Sequence, residues 1–490
     1  MKTILKQSVL PVAVALSLSA CAVGPDYQGA MLSVSDTYVF SDTKGTVPKA
    51  GQFWWESLGD ATLNTMAEDL NGQNIQLKVA AQRIEMANAY QTMVESFKVP
   101  SINVGGGYYS YQLSKNDSAS APVLNPLGDS VPALEGTAAG GVTVMDNQHD
   151  GFALGGNISW ELDLFGRLDR QSSAAQIRTE QAEIYQQALS VLLTADLVHN
   201  YLQYRGAQTR KALALENIED QKKTLRLVES VVNSGYGSEL DLAQARAMLS
   251  ATESVIPQLE IAEQAHKHRL AVLLGEPLTE VDVRLASTQP LPKVTGVIPV
   301  GLPSDLLTRR PDIRIAEREM AAVNEELAAS VANKYPKFFL TGTPGWSASS
   351  FDDVFKGDSF GWVGSAGVSW NVFDGGRSQA LVEMQEARFN AAALNYEHFV
   401  NSAIAEVDSA LFAYGRSQQN RDQIDETLAA TGIALNKAKS LYAAGLIDYV
   451  AVLDAQRQHR VIQDAQVVAT LQTAHATVAV YKSLGGGWTL

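Results

Sequence analysis

The chain has 490 residues, 46% of them apolar and 19% charged, and a formal net charge of −15. That balance fits a folded protein better than a disordered chain or a bundle of membrane helices, and the acidity argues against a nucleic-acid partner, whose phosphates attract a basic face. Cys21 is the sole cysteine, which excludes a disulfide within one subunit and a multi-cysteine metal site.

Residues 1–20 read as an export signal. Lys2 and Lys6 give a positive start, and Val9 to Leu18 form an apolar core too short to span a bilayer. Leu18-Ser19-Ala20-Cys21 looks like a bacterial lipobox, cut before Cys21 and acylated there, with residues 21–59 as the acylated N-terminal segment. The plainer alternative is ordinary signal cleavage nearby, with Cys21 incidental. Ala22 stands where Asp would suggest inner-membrane retention, so the outer membrane is favoured. Loss of Lys2 and Lys6 takes the charge to −17, and a negative field in a pore would favour cations. Beyond the signal no run of eighteen apolar residues occurs, so a bilayer crossing would require a closed β-barrel.

The rest of the chain is written twice. Residues 74–100 match 310–336: Leu77 falls on Ile313, Lys78 on Arg314, Ala80 on Ala316 and Asn88 on Asn324, an offset of 236. Ser159-Trp160 and Gly166-Arg167 match Ser369-Trp370 and Gly376-Arg377, and Tyr204, Gly235 and Ala245 match Tyr414, Gly445 and Ala455, an offset of 210. The 26 residues of difference fall between Ser114 and Asp150, a stretch rich in Ser, Pro, Gly and Asn that reads as a long loop. The first repeat covers 60–284, a linker with Pro290, Pro292, Pro299 and Pro303 covers 285–303, the second repeat covers 304–484, and a tail covers 485–490.

Each half reads as helix, strand, loop, strand, very long helix, break, helix. Leu63 to Phe97 is helix-like. In the hairpin 101–164, Ile102, Val104, Gly106 and Tyr108 alternate, and Phe152, Leu154, Gly156, Ile158, Trp160, Leu162 and Leu164 occupy every second position of the return strand. In the hairpin 338–373, Phe338 to Ser347 would pair with Trp362 to Val372, with Pro344 weakening the first strand. A small sheet in a soluble domain would look the same. A membrane barrel needs about eight strands, so four per chain require several subunits to close one. The long helices, 167–233 and 377–443, contain no proline and would each extend about 100 Å. Ile177, Ile184, Val191 and Val198 repeat every seven, and Val400, Ile404, Val407, Leu411 and Tyr414 step by four and three, a coiled-coil seam. Helices 239–275 and 449–483 follow, after glycines Gly235 and Gly445 suited to end a helix in the left-handed conformation.

Taken together these residues resemble the TolC-type outer-membrane efflux proteins, in their lipoprotein branch. The resemblance rests on Cys21-Ala22-Val23-Gly24-Pro25-Asp26-Tyr27, on Trp54-Trp55, and most specifically on Leu306-Leu307-Thr308-Arg309-Arg310-Pro311-Asp312-Ile313 with Ala316-Glu317. It implies a mainly α fold with a membrane β-barrel: a homotrimer closing a twelve-stranded barrel, continued by a periplasmic α-helical barrel with an equatorial belt. It also implies a lipid-anchored outer-membrane location, and as partners outer-membrane lipid, a periplasmic adaptor and an inner-membrane drug transporter. By the same match Gly235 and Gly445 turn the hairpin tips at the periplasmic mouth, where Asp454 and Val450 would line a constriction with Asp241 nearby. Three copies would then present rings of carboxylates, which attract cations. The plain alternative makes Asp241 and Asp454 solvated helix-start residues. Ala451 replaces a second acid found in some members, and Ile447 a basic residue, which argues against a gate locked by dense salt bridges.

No catalytic constellation emerges: neither a P-loop, nor His-Glu-x-x-His, nor Gly-x-Ser-x-Gly occurs. His266 and His268, two apart on a helix, face different ways and make a poor metal pair, and the other five histidines are scattered along the chain. The expected role is the passive exit duct of a tripartite multidrug efflux pump, without enzyme activity, cofactor or metal. The rivals are the exit duct of a protein secretion system and a lipid-anchored coiled-coil scaffold without a pore.

Overall fold

The computed structural model describes residues 23–29, 34, 37–40, 53–117, 124–125, 137, 146–292 and 301–486. The expected signal, the lipobox with Cys21 and Ala22, most of the loop between Ser114 and Asp150, the linker stretch with Pro299 and the last four residues of the tail lie outside them. The chain divides into two compact units. One takes Ala89–Gln176 and Val323–Arg388 with the N-terminal segment through Tyr27; the other takes Gln28–Asn88, Ile177–Ala322 and Phe389–Leu490. Each unit therefore draws on both halves of the repeat.

The first unit holds a four-stranded sheet: β1 (Ser101–Gln112), β2 (Gln148–Leu162), β3 (Lys337–Ala348) and β4 (Phe360–Ser369). The order is β1-β2-β3-β4 and every pairing is antiparallel, with Ser101 opposite Ser159, Trp160 opposite Leu340 and Phe338 opposite Val368. β1 and β4 are edges, and all their residues are exposed. Ile102, Val104, Trp362 and Val368 expose 62–77% of their surface. Such apolar edges demand partners of the same kind. Pro344 stays within β3, but the β2–β3 ladder skips Gly156 and Asn157, opposite Pro344 and Thr343, because proline has no N–H to offer there. β4 ends at Ser369, so Trp370 and Val372 lie beyond the strand. The Trp160 indole N–H donates to the Lys98 carbonyl at 2.9 Å and that of Trp370 to the Lys334 carbonyl at 3.0 Å. These bonds join matched positions of the two halves, and each ties the end of a hairpin to the helix preceding it.

The second unit is helical. Its helices, some continuing from the first unit, are α1 (Ala61–Gln73), α2 (Ile75–Glu95), α3 (Arg167–Asn233), α4 (Glu239–Glu253), α5 (Val255–Leu274), α6 (Leu278–Arg284), α7 (Leu306–Arg309), α8 (Pro311–Ala332), α9 (Arg377–Ala443) and α10 (Tyr449–Ser483). The single helix expected over Leu63 to Phe97 is broken at Asn74, which is extended; its side-chain oxygen caps Gln76 and Leu77 at 2.8 and 3.1 Å. The second half breaks at the matched residue, Arg310, by other means: Pro311 forces the residue before it out of the helical region. The helix expected over 239–275 is likewise divided, at Ser254. Pro257 cannot donate in the first turn of α5, and helical dihedrals at Ser254 make the break a kink. Val467 stands at the matched place in α10, which runs unbroken for 35 residues.

The core gathers Leu63, Met66 and Leu70 of α1, Leu197, Tyr201 and Leu202 of α3, and Leu270, Leu273 and Leu274 of α5, with Trp54 stacked on Tyr481 at 5.2 Å. On α9, Val400 and Val407 of the seam are buried and Ile404, Leu411 and Tyr414 pack against them. Arg205 sits inside with no exposed surface, and its guanidinium donates to the Tyr201 hydroxyl and the Ser287 carbonyl. The Tyr201 hydroxyl donates in turn to Asp60 at 2.6 Å, the residue that caps α1. The buried charge is thus connected to a carboxylate rather than stranded.

Candidate functional site

The residues expected at the periplasmic mouth all lie in the second unit, where α3 turns into α4 and α9 into α10. Both turns use one device. Gly235 has φ +81° and its N–H meets the Val232 carbonyl at 2.9 Å, while Tyr236 N–H reaches the Val231 carbonyl at 3.1 Å. Gly445, φ +71°, repeats this with Tyr442, and Leu446 with Leu441. This is a Schellman closure, in which the left-handed residue satisfies the last carbonyls of the helix. No atom lies within 4 Å of the place a Cβ would take at either glycine, so the dihedral and not the space requires it.

The two helices that follow begin differently. α4 starts in a capping box: the Ser238 hydroxyl accepts from Leu240 N–H at 3.0 Å, and the Asp241 carboxylate accepts from Ser238 N–H at 3.4 Å. α10 starts at Asp448 with no side-chain cap. Asp454, further along α10, is exposed; among the described residues it meets a cation only in Arg457 at 3.8 Å on the same helix, too long and too wet to hold it. Val450 is 45% exposed.

Between the two tips lies a small core of Val228, Ala245, Met248, Tyr449, Val452 and Leu453, with Tyr442 packed against it. The Tyr442 and Tyr449 rings sit 5.7 Å apart. Burial, the Tyr442 hydroxyl and the Asp241 charge together push the Tyr449 hydroxyl up to about 12, and burial followed by Asp241 raises Tyr442. Asp241 therefore faces the tyrosines of the later tip, whereas Asp454 projects into solvent. Polar ties cross the same seam: Lys439 to Asp220 at 3.3 Å, Gln456 to Thr224 at 3.1 Å and Arg460 to Thr252 at 2.9 Å. Reading the chain did not single these residues out. The tyrosines flanking Gly445 were the visible signal.

The histidines are less scattered than expected. The rings of His199 on α3 and His475 on α10 lie tilted against each other with centroids 4.2 Å apart, and His266 of α5 donates from Nδ1 to Asn200 at 3.0 Å. Gln203 bonds His475 Nε2 at 2.9 Å. Burial, then His199 and His266, push His475 down to about 4. Among the described residues no group of three or more His, Cys, Asp or Glu is placed to hold a metal ion, and no helix is long and apolar enough to cross a membrane.

A short sheet with two open apolar edges, in a chain of paired 67-residue helices turned at glycine tips, defines one subunit of an oligomeric outer-membrane channel. The chain belongs to the outer membrane efflux protein family, whose model matches residues 67–276 and 302–486. It is 28% identical over 490 residues to the cation efflux system protein CusC of Escherichia coli O6:H1, covering 98% of each chain. It is 27% identical over 499 residues to the toluene efflux pump outer membrane protein TtgI of Pseudomonas putida, covering 99% of each. Among solved structures, the outer-membrane channel OprN superposes with a TM-score of 0.84 at 32% identity, covering 96% of this chain and 100% of that one. A structure of CusC gives 0.78 at 25% identity, with 95% and 100% covered. The four strands are one subunit's share of a trimeric twelve-stranded barrel, and the chain is an efflux channel of the outer membrane that extends into the periplasm.

Proposed function

We propose that this channel is the exit duct of a tripartite drug efflux pump, a homotrimer anchored through acylated Cys21 and closed at its periplasmic mouth by the α3–α4 and α9–α10 tips. A periplasmic adaptor and an inner-membrane transporter supply cargo and energy, and the duct itself carries out no chemistry. Asp454 and Val450, once per subunit, form the constriction, and Asp241 braces the seam behind it. The observation that carries the gate is the contrast between the two acids: Asp241 is engaged by its own helix start, while Asp454 stands exposed with only a distant arginine. Three such carboxylates held close repel one another and attract cations. The relatives' names point to small cargo, cations in one case and toluene in another.

The experiment is conductance of purified trimers in planar bilayers. Asp454→Ala should raise single-channel conductance and weaken cation preference. Unchanged values for both would remove Asp454 from the gate, and a consistently silent, monomeric product would defeat the channel reading.

A further inference from the structure

The two hairpins of the sheet end in different electrostatic company. At the foot of the first, the cations are paired: Lys98 meets Asp169 at 2.7 Å and Arg167 meets Glu161 at 2.8 Å, while Asp163 accepts from the Asp169 N–H at 2.7 Å. At the offsets of 236 and 210, Lys98 falls on Lys334 and Arg167 on Arg377, so both cations recur at the second foot. The acids do not. Glu161 falls on Asn371, Asp163 on Phe373 and Asp169 on Gln379. Lys334 still reaches its matched partner, donating to Gln379 Oε1 at 2.9 Å, but an amide accepts a bond without neutralising a charge. Asp374 lies near enough for Arg377 to stabilise its charge, yet its oxygens are taken by the start of α9, accepting from the Gly376 N–H at 3.1 Å, the Ser378 N–H at 3.0 Å and the Ser378 hydroxyl. The second foot is also apolar where the first is acidic: Phe373 is 90% exposed, Val372 79% and Trp370 58%. The Trp370 indole N–H is spent on the Lys334 carbonyl, which sets that ring beside that lysine.

We propose that the foot of the β3–β4 hairpin binds the phosphate of an anionic phospholipid in the periplasmic leaflet, with Lys334 and Arg377 on the headgroup and Trp370 and Phe373 against the glycerol and upper acyl chain. A guanidinium offers a phosphodiester two parallel hydrogen bonds and an ammonium adds a point charge. A tryptophan sits at the depth where headgroup gives way to hydrocarbon. The junction of strand and helix lies at that depth, because the sheet ends there and the helices continue into the periplasm. Gln379, held by Lys334, stands two residues past Arg377, so both cations flank the first turn of α9. Free phosphate would satisfy the cations and leave the rings wet; a zwitterionic lipid would bring an ammonium of its own. An anionic lipid answers both features. The trimer would carry three such feet, alternating with three whose cations are already neutralised.

The test is native mass spectrometry of full-length trimers in detergent, titrated with phosphatidylglycerol or phosphatidylethanolamine. The wild type should take up to three phosphatidylglycerol molecules in preference to phosphatidylethanolamine. Lys334→Gln and Arg377→Gln should each weaken that binding roughly fivefold, and the double variant roughly twenty- to thirtyfold. Gln379→Asp, which gives Lys334 the partner that Lys98 has, should weaken it as much as Lys334→Gln does. Lys98→Gln, at the paired foot, should leave it unchanged. Equal uptake of the two lipids, or full phosphatidylglycerol binding by the double variant, would overturn the proposal. So would displacement of the lipid by inorganic phosphate at equal concentration, which would mark a site for a free anion. In lipid-free detergent the double variant should dissociate at the wild-type temperature; a fall there would mean that a neighbouring subunit, not a lipid, holds the two cations.

Discussion

Acid should loosen the helical unit through His475. Gln203 donates its amide N–H to His475 Nε2, which selects the neutral ring with its proton on Nδ1. Nδ1 is buried without a hydrogen-bond partner among the described residues. A second proton on Nε2 would set two donors head to head. The charged groups around the ring give no relief. The His199 ring of α3 lies tilted against it at 4.2 Å, and the charge of His266 on α5 acts in the same direction. With burial as the first cause and the two histidines after it, the folded-state value lies at about 4 against 6.5 for a free histidine. The sign follows from which state takes the proton more readily. The unfolded chain binds it from 6.5 downward and the folded chain only near 4, so stability present above 6.5 is lost as the pH falls through that interval. At about 1.4 kcal/mol per pH unit the loss reaches about 3 kcal/mol per subunit near pH 4. His266, also lowered by burial and by His199, adds to it in the same direction. Thermal unfolding followed by far-UV circular dichroism, above 6.5 and near 4, measures the effect. In His475→Gln, which keeps an amide opposite Gln203 and cannot titrate, most of the pH dependence should vanish. The same fall in the variant as in the wild type would refute the reasoning.

Three substitutions probe the scaffold. Gly235→Ala and Gly445→Ala place a Cβ in the left-handed region and should each cost about 1–2 kcal/mol, read as faster amide exchange confined to the tip concerned. Arg310→Ala removes a guanidinium that donates to the Ser483 carbonyl at 2.8 Å and pairs with Asp312 and Glu406 at 2.7 Å. A loss of about 3 kcal/mol is expected in the denaturant midpoint, and Arg310→Lys should recover little of it because one ammonium cannot reach all three. Gly206→Ala would drive a Cβ into a Leu471 methyl, where α3 meets α10, at a cost of about 1–3 kcal/mol. Leu471→Ala in the same chain should recover part of that thermal stability.

Much of this architecture was legible because the chain states it twice. The glycines at 235 and 445 and the tryptophans at 160 and 370 occupy matched positions and do matched work; the break at Asn74 matches that at Arg310, but the pattern over Leu63 to Phe97 reads as one helix. What could not be read were contacts between residues far apart along the chain. Asn74 ends a helix partly because its amide reaches the Leu273 carbonyl, 199 residues away, at 2.6 Å. The three histidines meet only because α3, α5 and α10 pack together, and a seven-residue repeat shows which face of a helix is buried but not which helix covers it. Pro257 marks the kink at Ser254, but the helical pattern continues through it on both sides, so the periodicity alone does not show the break.

The tips show what the repeat cannot decide. At the offset of 210, Asp241 falls on Ala451 and Asp454 falls on Gln244, so the two acids are not copies of one residue. The earlier helix start has its hydroxyl cap and its returning carboxylate, an arrangement worth about 1 kcal/mol. The later one has Asp448 without a side-chain bond and Ala451 where the returning carboxylate would be. Scaffold is kept where the halves agree. Where they differ, the second half lacks a side-chain cap and carries an exposed carboxylate four residues after its exposed valine. The later helix start is held by packing, through Tyr449 and Val452, rather than by bonds to its own first turn.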